Sequence, residues 1–153
     1  MLFFQTLPFL PDALCDQLVD ADGNYLLYRN ILPLSVPDLA FVGYNSSFFC
    51  NLSSEIAALW LCEYLEGRMA LPSPSEQETQ IREYLAWRKQ FRQNALYHNA
   101  SVYPFNLTYV DWLLKDMNAR LPWPALLSEW LKVVEPGNYA AVKEKIKKRS
   151  LGK

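Results

Sequence analysis

Residues 37–76 read P-D-L-A-F-V-G-Y, N-S-S-F-F-C-N-L-S-S-E, I-A-A-L-W-L-C-E-Y-L-E-G and R-M-A-L-P-S-P-S-E, running from Pro37 to Glu76. A short apolar segment, Leu39–Val42, has the look of a strand that ends at Gly43 and gives way to a polar loop. The next segment, Leu52–Glu66, carries Leu52, Ile56, Leu59, Trp60, Tyr64 and Leu65 around nearly its whole circumference, which predicts a buried helix. Gly67 is placed to stop that helix. Ser73 then stands before Pro74 and three residues ahead of Glu76, the pattern of a capping box with proline at the first helical position. The helix so begun is expected to run to about Asn94, with Ile81, Tyr84, Leu85 and Phe91 on one face.

Upstream, the chain is proline-rich and irregular, with a short helix expected at Asp12–Leu18 and a turn at Asp22-Gly23-Asn24. Tyr25–Tyr28 is the other strand-like segment. Two short strands make no stable sheet by themselves, so they read as edge pieces of a larger sheet. Downstream, Ala95–Leu107 reads as a loop. Thr108 through Asp111 starts a helix that Asn118 can end in the left-handed conformation. Pro124 opens another helix, extending through Val134. Glu135-Pro136-Gly137 breaks it, and Asn138 is the expected cap of a final basic helix. The fold class is therefore mostly α with a few short β-strands.

At 153 residues the chain can bury one real core. Half of it is apolar and a fifth is charged, ordinary for a globular protein. Charge is unevenly spread: residues 1–80 hold ten acids against the two bases Arg29 and Arg68, and residues 81–153 hold thirteen bases against six acids. The basic run Lys143–Arg149 reads as a solvated surface rather than a nucleic-acid groove, which would interleave exposed aromatic residues. Cys15, Cys50 and Cys62 have neither disulfide-framework nor zinc-ligand spacing, and are expected to be buried free thiols. The N-terminus lacks the basic start and cleavage site of a signal peptide, and no apolar run reaches the length of about eighteen residues that spans a bilayer. A cytoplasmic location is expected, with the sequons at Asn45, Asn51, Asn99 and Asn106 as chance matches.

A self-contained catalytic site is hard to find. The five glycines are too dispersed for a dinucleotide fingerprint or phosphate loop. His98 has no nucleophile partner in a recognisable setting, and Glu76 and Glu78 suit a helix start better than acid–base work. No catalytic residue and no metal ligand is assigned. Trp60, Tyr64 and Trp112 read as core. The loop Tyr44–Ser47 reads, on pattern alone, as a polar connection.

Several blocks in order nonetheless resemble one family. Phe4 to Leu10 resembles a Q-x-L-P-F-L pattern, Leu27-Tyr28-Arg29 with Pro33 and Pro37 an L-Y-(K/R) element, and Phe41-Val42-Gly43 a strand end. Glu55 and Trp60 fit E-x-x-x-x-W, and Gly67 through Glu76 fits G-x-x-x-L-P-S-x-x-E. Tyr109–Met117 resembles a tyrosine-rich helix, and Pro136–Tyr139 a P-x-x-Y. Together these resemble the C-terminal segment of flavin-containing monooxygenases, flavoproteins with two dinucleotide-binding folds. The loop after Gly43 departs from the family, having Y-N-S-S-F-F-C-N where Gln, Gly and Pro are common, and it is one residue shorter.

The resemblance implies a C-terminal fragment of a Rossmann-like FAD/NAD(P) α/β fold. Residues 1–66 would be a remnant of the FAD-binding domain and residues 67–153 a helical extension. It implies FAD and NADPH as cofactors of a full-length parent, not tightly held by this chain alone. The implied chemistry inserts one oxygen of O2 into a small nucleophilic substrate, by N-, S- or Baeyer–Villiger-type oxidation. The cofactor carries that chemistry, so few acid–base side chains are needed. The cofactor-binding residues implied are Gly43, Tyr44, Asn45, Ser46 and Ser47, acting mainly through backbone N–H groups near a helix start. Asn45 and Phe48 would then stand near a substrate pocket. The chain alone is expected to be inactive, with both glycine-rich fingerprints supplied by a missing N-terminal portion or a split-gene subunit. The alternative is a non-catalytic helical interaction module derived from such an enzyme. A third reading, a basic-tail adaptor on anionic membranes, is weakened by the shortness of the tail.

Overall fold

A computed structural model describes residues 7–44, 49–91, 108–131 and 135–152. Among them are six helices, α1 (Asp12–Leu18), α2 (Cys50–Leu65), α3 (Pro74–Phe91), α4 (Thr108–Asp116), α5 (Trp123–Leu131) and α6 (Ala140–Leu151). A 3-10 turn at Pro136–Tyr139 precedes α6, and β1 (Leu27–Tyr28) and β2 (Leu32–Pro33) form a two-stranded antiparallel sheet. The protein is thus mostly helical, as expected. The chain divides into two compact units, one of residues 1–44 with 72–101 and the other of residues 45–71 with 102–153. The end of α3 near Asn94, the loop Ala95–Leu107 with His98, the end of α5 at Val134, and Phe4–Thr6 lie outside the described residues.

The first unit is built on two turns. Asp20 Oδ1 accepts the backbone N–H groups of Asp22 (2.9 Å) and Asn24 (2.8 Å), and Gly23 takes φ +80°, closing a loop that pairs Val19 with Tyr25. The β1–β2 hairpin turns through Arg29 and Asn30, both with positive φ (55° and 54°), as mirror-image hairpin turns require. The register pairs Leu27 with Pro33 and Tyr28 with Leu32. Helix α3 packs on β1, contributing Ile81 to a core with Leu18, Tyr28 and Ile31.

Leu39–Val42 is not a strand; the second strand is Leu32–Pro33. Regular pairing needs a continuous ladder partner. Here the segment passes the tight hairpin turn, where the Phe41 N–H donates to the Ile31 carbonyl (2.8 Å).

The second unit packs α2 against α4 and α6. Although α2 is apolar nearly all round, it buries one stripe, Leu52, Ser53, Ile56, Ala57, Trp60 and Glu63, and leaves Leu65 71 % exposed. Trp60 has no solvent exposure, and its Nε1–H donates to Asp116 Oδ2 of α4 (3.1 Å). Lys143 of α6 reaches Glu55 of α2 at 2.7 Å. The thiols correct the sequence reading: all three are free, but Cys15 is half-buried, and Cys50 and Cys62 are exposed because they lie off the buried stripe of α2.

Helix ends follow local chemistry. After α2, Gly67 at φ +68° donates its N–H to the Tyr64 carbonyl, and Arg68 donates to the Glu63 carbonyl, a Schellman closure. The Arg68 side chain adds an ion pair to buried Glu63 (2.7 Å). Asn118 at φ +51° ends α4 the same way, and Arg149 donates to the Met117 carbonyl beside it (3.0 Å). At α3 the capping box forms: the Ser73 N–H donates to Glu76 Oε2 (2.8 Å), and the Glu76 N–H donates to Ser73 Oγ (3.4 Å). Asn138 does not cap α6. It lies inside the 3-10 turn, which runs directly into the helix and supplies carbonyls in place of a side-chain cap.

Two expected outcomes test these contacts. Trp60→Phe removes a donor from the α2–α4 contact and costs about 1–3 kcal/mol in urea unfolding; a cost below about 0.5 kcal/mol would show that the Asp116 bond adds nothing. The hydrogen bonds from Ser73 hold the Glu76 carboxyl below its ordinary 4.5. The cap's contribution is therefore complete above pH 4.5 and is lost as pH falls through that lowered value. An NMR titration of the Ser73 amide should have its midpoint below 4.5, and a midpoint at or above it would refute the cap.

Candidate functional site

The candidate loop begins where Phe41 leaves the hairpin. Gly43 takes φ +81°, a left-handed conformation that costs glycine little and a side-chain-bearing residue more. The turn delivers Tyr44 into an aromatic cluster. Its ring meets Tyr25 edge-on at 5.2 Å and Phe41 edge-on at 5.9 Å between centroids, and Tyr25 and Phe41 are 5.8 Å apart. These are the tilted and edge-to-face arrangements that aromatic quadrupoles favour.

Burial, and after it the neighbouring Tyr25, pushes the Tyr44 phenol up to about 12, with Arg88 pulling the other way. Tyr25 is itself raised, by burial and then by Cys15. At neutral pH Tyr44 is therefore an uncharged phenol, able to donate or accept a hydrogen bond but unsuited to act as a base. Arg88 lies on α3 with only 4 % exposure, its guanidinium carbon 5.7 Å from the centre of the Tyr84 ring. Tyr84 in turn stacks on Trp87 at 6.1 Å.

Asn45, Ser46, Ser47 and Phe48 lie outside the described residues, so of the five loop residues singled out from the sequence the structure describes Gly43 and Tyr44. In the second unit, α2 starts at Cys50 rather than Leu52, behind an N-cap residue, Phe49, with no side-chain acceptor. Its first turn holds no acidic residue, and the Ser53 N–H makes the first helical bond, to the Phe49 carbonyl (3.0 Å). The N–H groups ahead of it carry the positive end of the helix dipole.

Tyr25, Phe41 and Arg88 were not singled out as site residues from the sequence. A signal for Arg88 was present: it stands four residues after Tyr84 and seven after Ile81, on the apolar face of α3. Tyr25 is brought to Phe41 and Tyr44 only by the tertiary fold. Trp60, stacked on Tyr64 at 6.0 Å, is core, as read from the sequence. Among the described residues no group of three or more His, Cys, Asp or Glu side chains could hold a metal ion. Nor is any described helix long and apolar enough to cross a membrane.

The residues that carry the resemblance have structural work in this geometry. Gly67 ends α2 and Ser73–Glu76 starts α3, Glu55 and Trp60 tie α2 to its neighbours, and Tyr139 is wholly buried in the 3-10 turn.

No protein-family model matches the chain. Curated relatives do. It is 31% identical over 127 residues to the FAD-dependent monooxygenase DEP4 of Fusarium langsethiae, a match covering 76% of this chain and 22% of that protein. It is 28% identical over 125 residues to the protein of the same name in Alternaria brassicicola, covering 74% and 21%. The putative flavin-containing monooxygenase 2 of Arabidopsis thaliana is 32% identical over 99 residues, covering 64% and 21%. The chain spans about a fifth of the length of these relatives. By sequence, the chain is homologous to a segment of the FAD-dependent and flavin-containing monooxygenases.

Proposed function

We propose that this chain is the C-terminal part of an FAD- and NADPH-dependent monooxygenase. In this reading residues 1–66 derive from the FAD-binding domain of a Rossmann-like parent, and residues 67–153 are its helical extension. The observation that carries the reading is the 31% identity that runs through 76% of the chain, with a relative named for its FAD dependence. The nucleotide-binding folds come from a preceding portion or a separate subunit, and the assembly works in the cytoplasm. The chain has no turnover by itself.

Gly43, Tyr44, Asn45, Ser46 and Ser47 are the flavin-facing loop, acting chiefly through backbone N–H groups. The described residues fit such a role. Gly43 makes a turn that a side chain would strain, and Tyr44 stays neutral, so it places no negative charge where a reduced flavin accumulates its own. Bound FAD would supply oxygen activation with reducing equivalents from NADPH, one oxygen going to a nitrogen, sulfur or ketone substrate and the other leaving as water. Of this chain's own residues, the half-buried Tyr25, Phe41 and Tyr44 would set the turn's position through their ring contacts, and the Tyr44 phenol would hold its proton.

The second reading is a non-catalytic helical interaction module derived from the same enzymes. Phe9, Leu65 and Trp123 are 75%, 71% and 73% exposed, which accords with the first reading, in which further chain covers them, rather than with a free-standing module. The two readings part on the upstream transcript, which carries Gly-x-Gly-x-x-Gly fingerprints in frame only in the first.

Two results are expected. The purified chain, incubated with FAD and passed over a gel-filtration column, elutes colourless and consumes no NADPH; stoichiometric bound flavin would overturn the need for further nucleotide folds. When this chain replaces the matching segment of the Fusarium langsethiae enzyme, the chimera holds FAD, and Gly43→Val lowers its flavin occupancy roughly tenfold. Unchanged occupancy in that variant would remove the loop from the flavin site.

A further inference from the structure

Helix α5 reads W-P-A-L-L-S-E-W-L, with Glu129 as its one charged residue. A helix so apolar belongs in a core. Yet none of its residues 123–127 is buried: Ala125 and Leu126 are half-buried, Leu127 is 47% exposed and Trp123 is 73% exposed. Helix α4 has the same length and a more polar sequence, and it buries Tyr109, Val110, Leu113 and Leu114. The close packings of this unit join α2 to α4, α2 to α6, and α6 to the 3-10 turn, and α5 enters none of them.

The exposed face is held stiffly. Ala119 and Leu121 are buried just ahead of it, and the Pro122 carbonyl accepts the N–H groups of Ala125 (2.9 Å) and Leu126 (3.1 Å). Trp123 stands between Pro122 and Pro124, which fix their own φ and confine the residue ahead of each. Leu127 follows four residues later and so falls on the same side of the helix. The backbone has little freedom left to lose on binding, a condition under which an exposed tryptophan anchors an interface.

Charge and area say what covers this face. Residues 121–128 carry no charge. A helix that lies on a lipid surface sets Lys and Arg beside its apolar face, and α5 has neither. Trp123 and Leu127 offer on the order of 300 Å², whereas an interface that holds two separate chains together buries about 600 Å² on each. A patch of that size closes firmly on chain to which it is tethered, where effective concentration makes up for area. The curated relatives supply such chain, because the matching segment is about a fifth of their length.

We propose that the Trp123–Leu127 face of α5 docks into an apolar, uncharged recess on the preceding portion of the same polypeptide. This rests on the reading of the chain as the C-terminal part of a monooxygenase. It names the surface that joins the two portions, and it selects a continuous polypeptide over a separate subunit.

The experiment is fluorine NMR with 5-fluorotryptophan, the Trp123 signal being assigned by its loss in Trp123→Phe. Relaxation of that signal by a dissolved neutral nitroxide is compared in the isolated chain and in the Fusarium langsethiae chimera. Strong relaxation is expected in the isolated chain, and a roughly tenfold weaker effect in the chimera, where water is excluded from the face. Trp123→Ser combined with Leu127→Ser should leave the urea midpoint of the isolated chain unchanged and lower that of the chimera.

Equal relaxation in the two proteins overturns the proposal. So does a dimer mass for the isolated chain in sedimentation that Trp123→Ser returns to monomer, which makes a second copy the occupant. Loss of relaxation on adding vesicles of phosphatidylcholine and phosphatidylserine overturns it too, in favour of a lipid surface. Flavin is read separately. A chimera that holds FAD with Trp123 in water keeps the proposed function and loses the docking face, and one that shields Trp123 without holding FAD does the reverse.

Discussion

The hydrogen bond from Trp60 to Asp116 is the contact on which the second unit depends. An indole with no solvent exposure brings a large apolar surface into the core, but its N–H must find an acceptor there. Asp116 supplies that acceptor from the last turn of α4, and so favours one register of α2 on α4. Asn118 then ends α4 in the left-handed conformation, Arg149 of α6 donates to the carbonyl of Met117, and Lys143 of the same helix reaches Glu55 of α2. Each polar contact lies at the edge of an apolar one, where directionality selects one packing among several of similar burial.

The residues by which the sequence resembles the flavin-containing monooxygenases act as fasteners. The glycine that ends α2, the serine and glutamate that start α3, and the tryptophan and tyrosine of the core all act on the fold.

What was legible in the sequence was what is local. The Ser73–Glu76 box, Gly67 and Asn118 are decided within four or five residues, and each formed as read. The strands were less legible, because a strand is defined by its partner. Tyr28 found one across the Arg29–Asn30 turn, and Leu39–Val42 met only the bend of that turn. Asn138 misled for a related reason, since a helix that continues out of a 3-10 turn has no need of a side-chain cap. At the candidate site Gly43 was visible as a turn residue. The cluster around Tyr44 was not, because Tyr25 reaches Phe41 and Tyr44 from a separate stretch, and burial of a charged residue such as Arg88 runs against composition.

The division of the chain into units has a consequence for its modularity. Each unit is assembled from two stretches of sequence, with chain belonging to the other unit running between them. No single cut releases either unit whole, and no contiguous piece shorter than most of the chain contains one complete. In synthesis, the hairpin must wait for α3 and α2 must wait for α4 and α6, so neither core can close until sequence distant from its first half has emerged. In evolution the same interleaving favours inheritance of the stretch as a block: a recombination point between residues 45 and 101 would separate parts of both units at once.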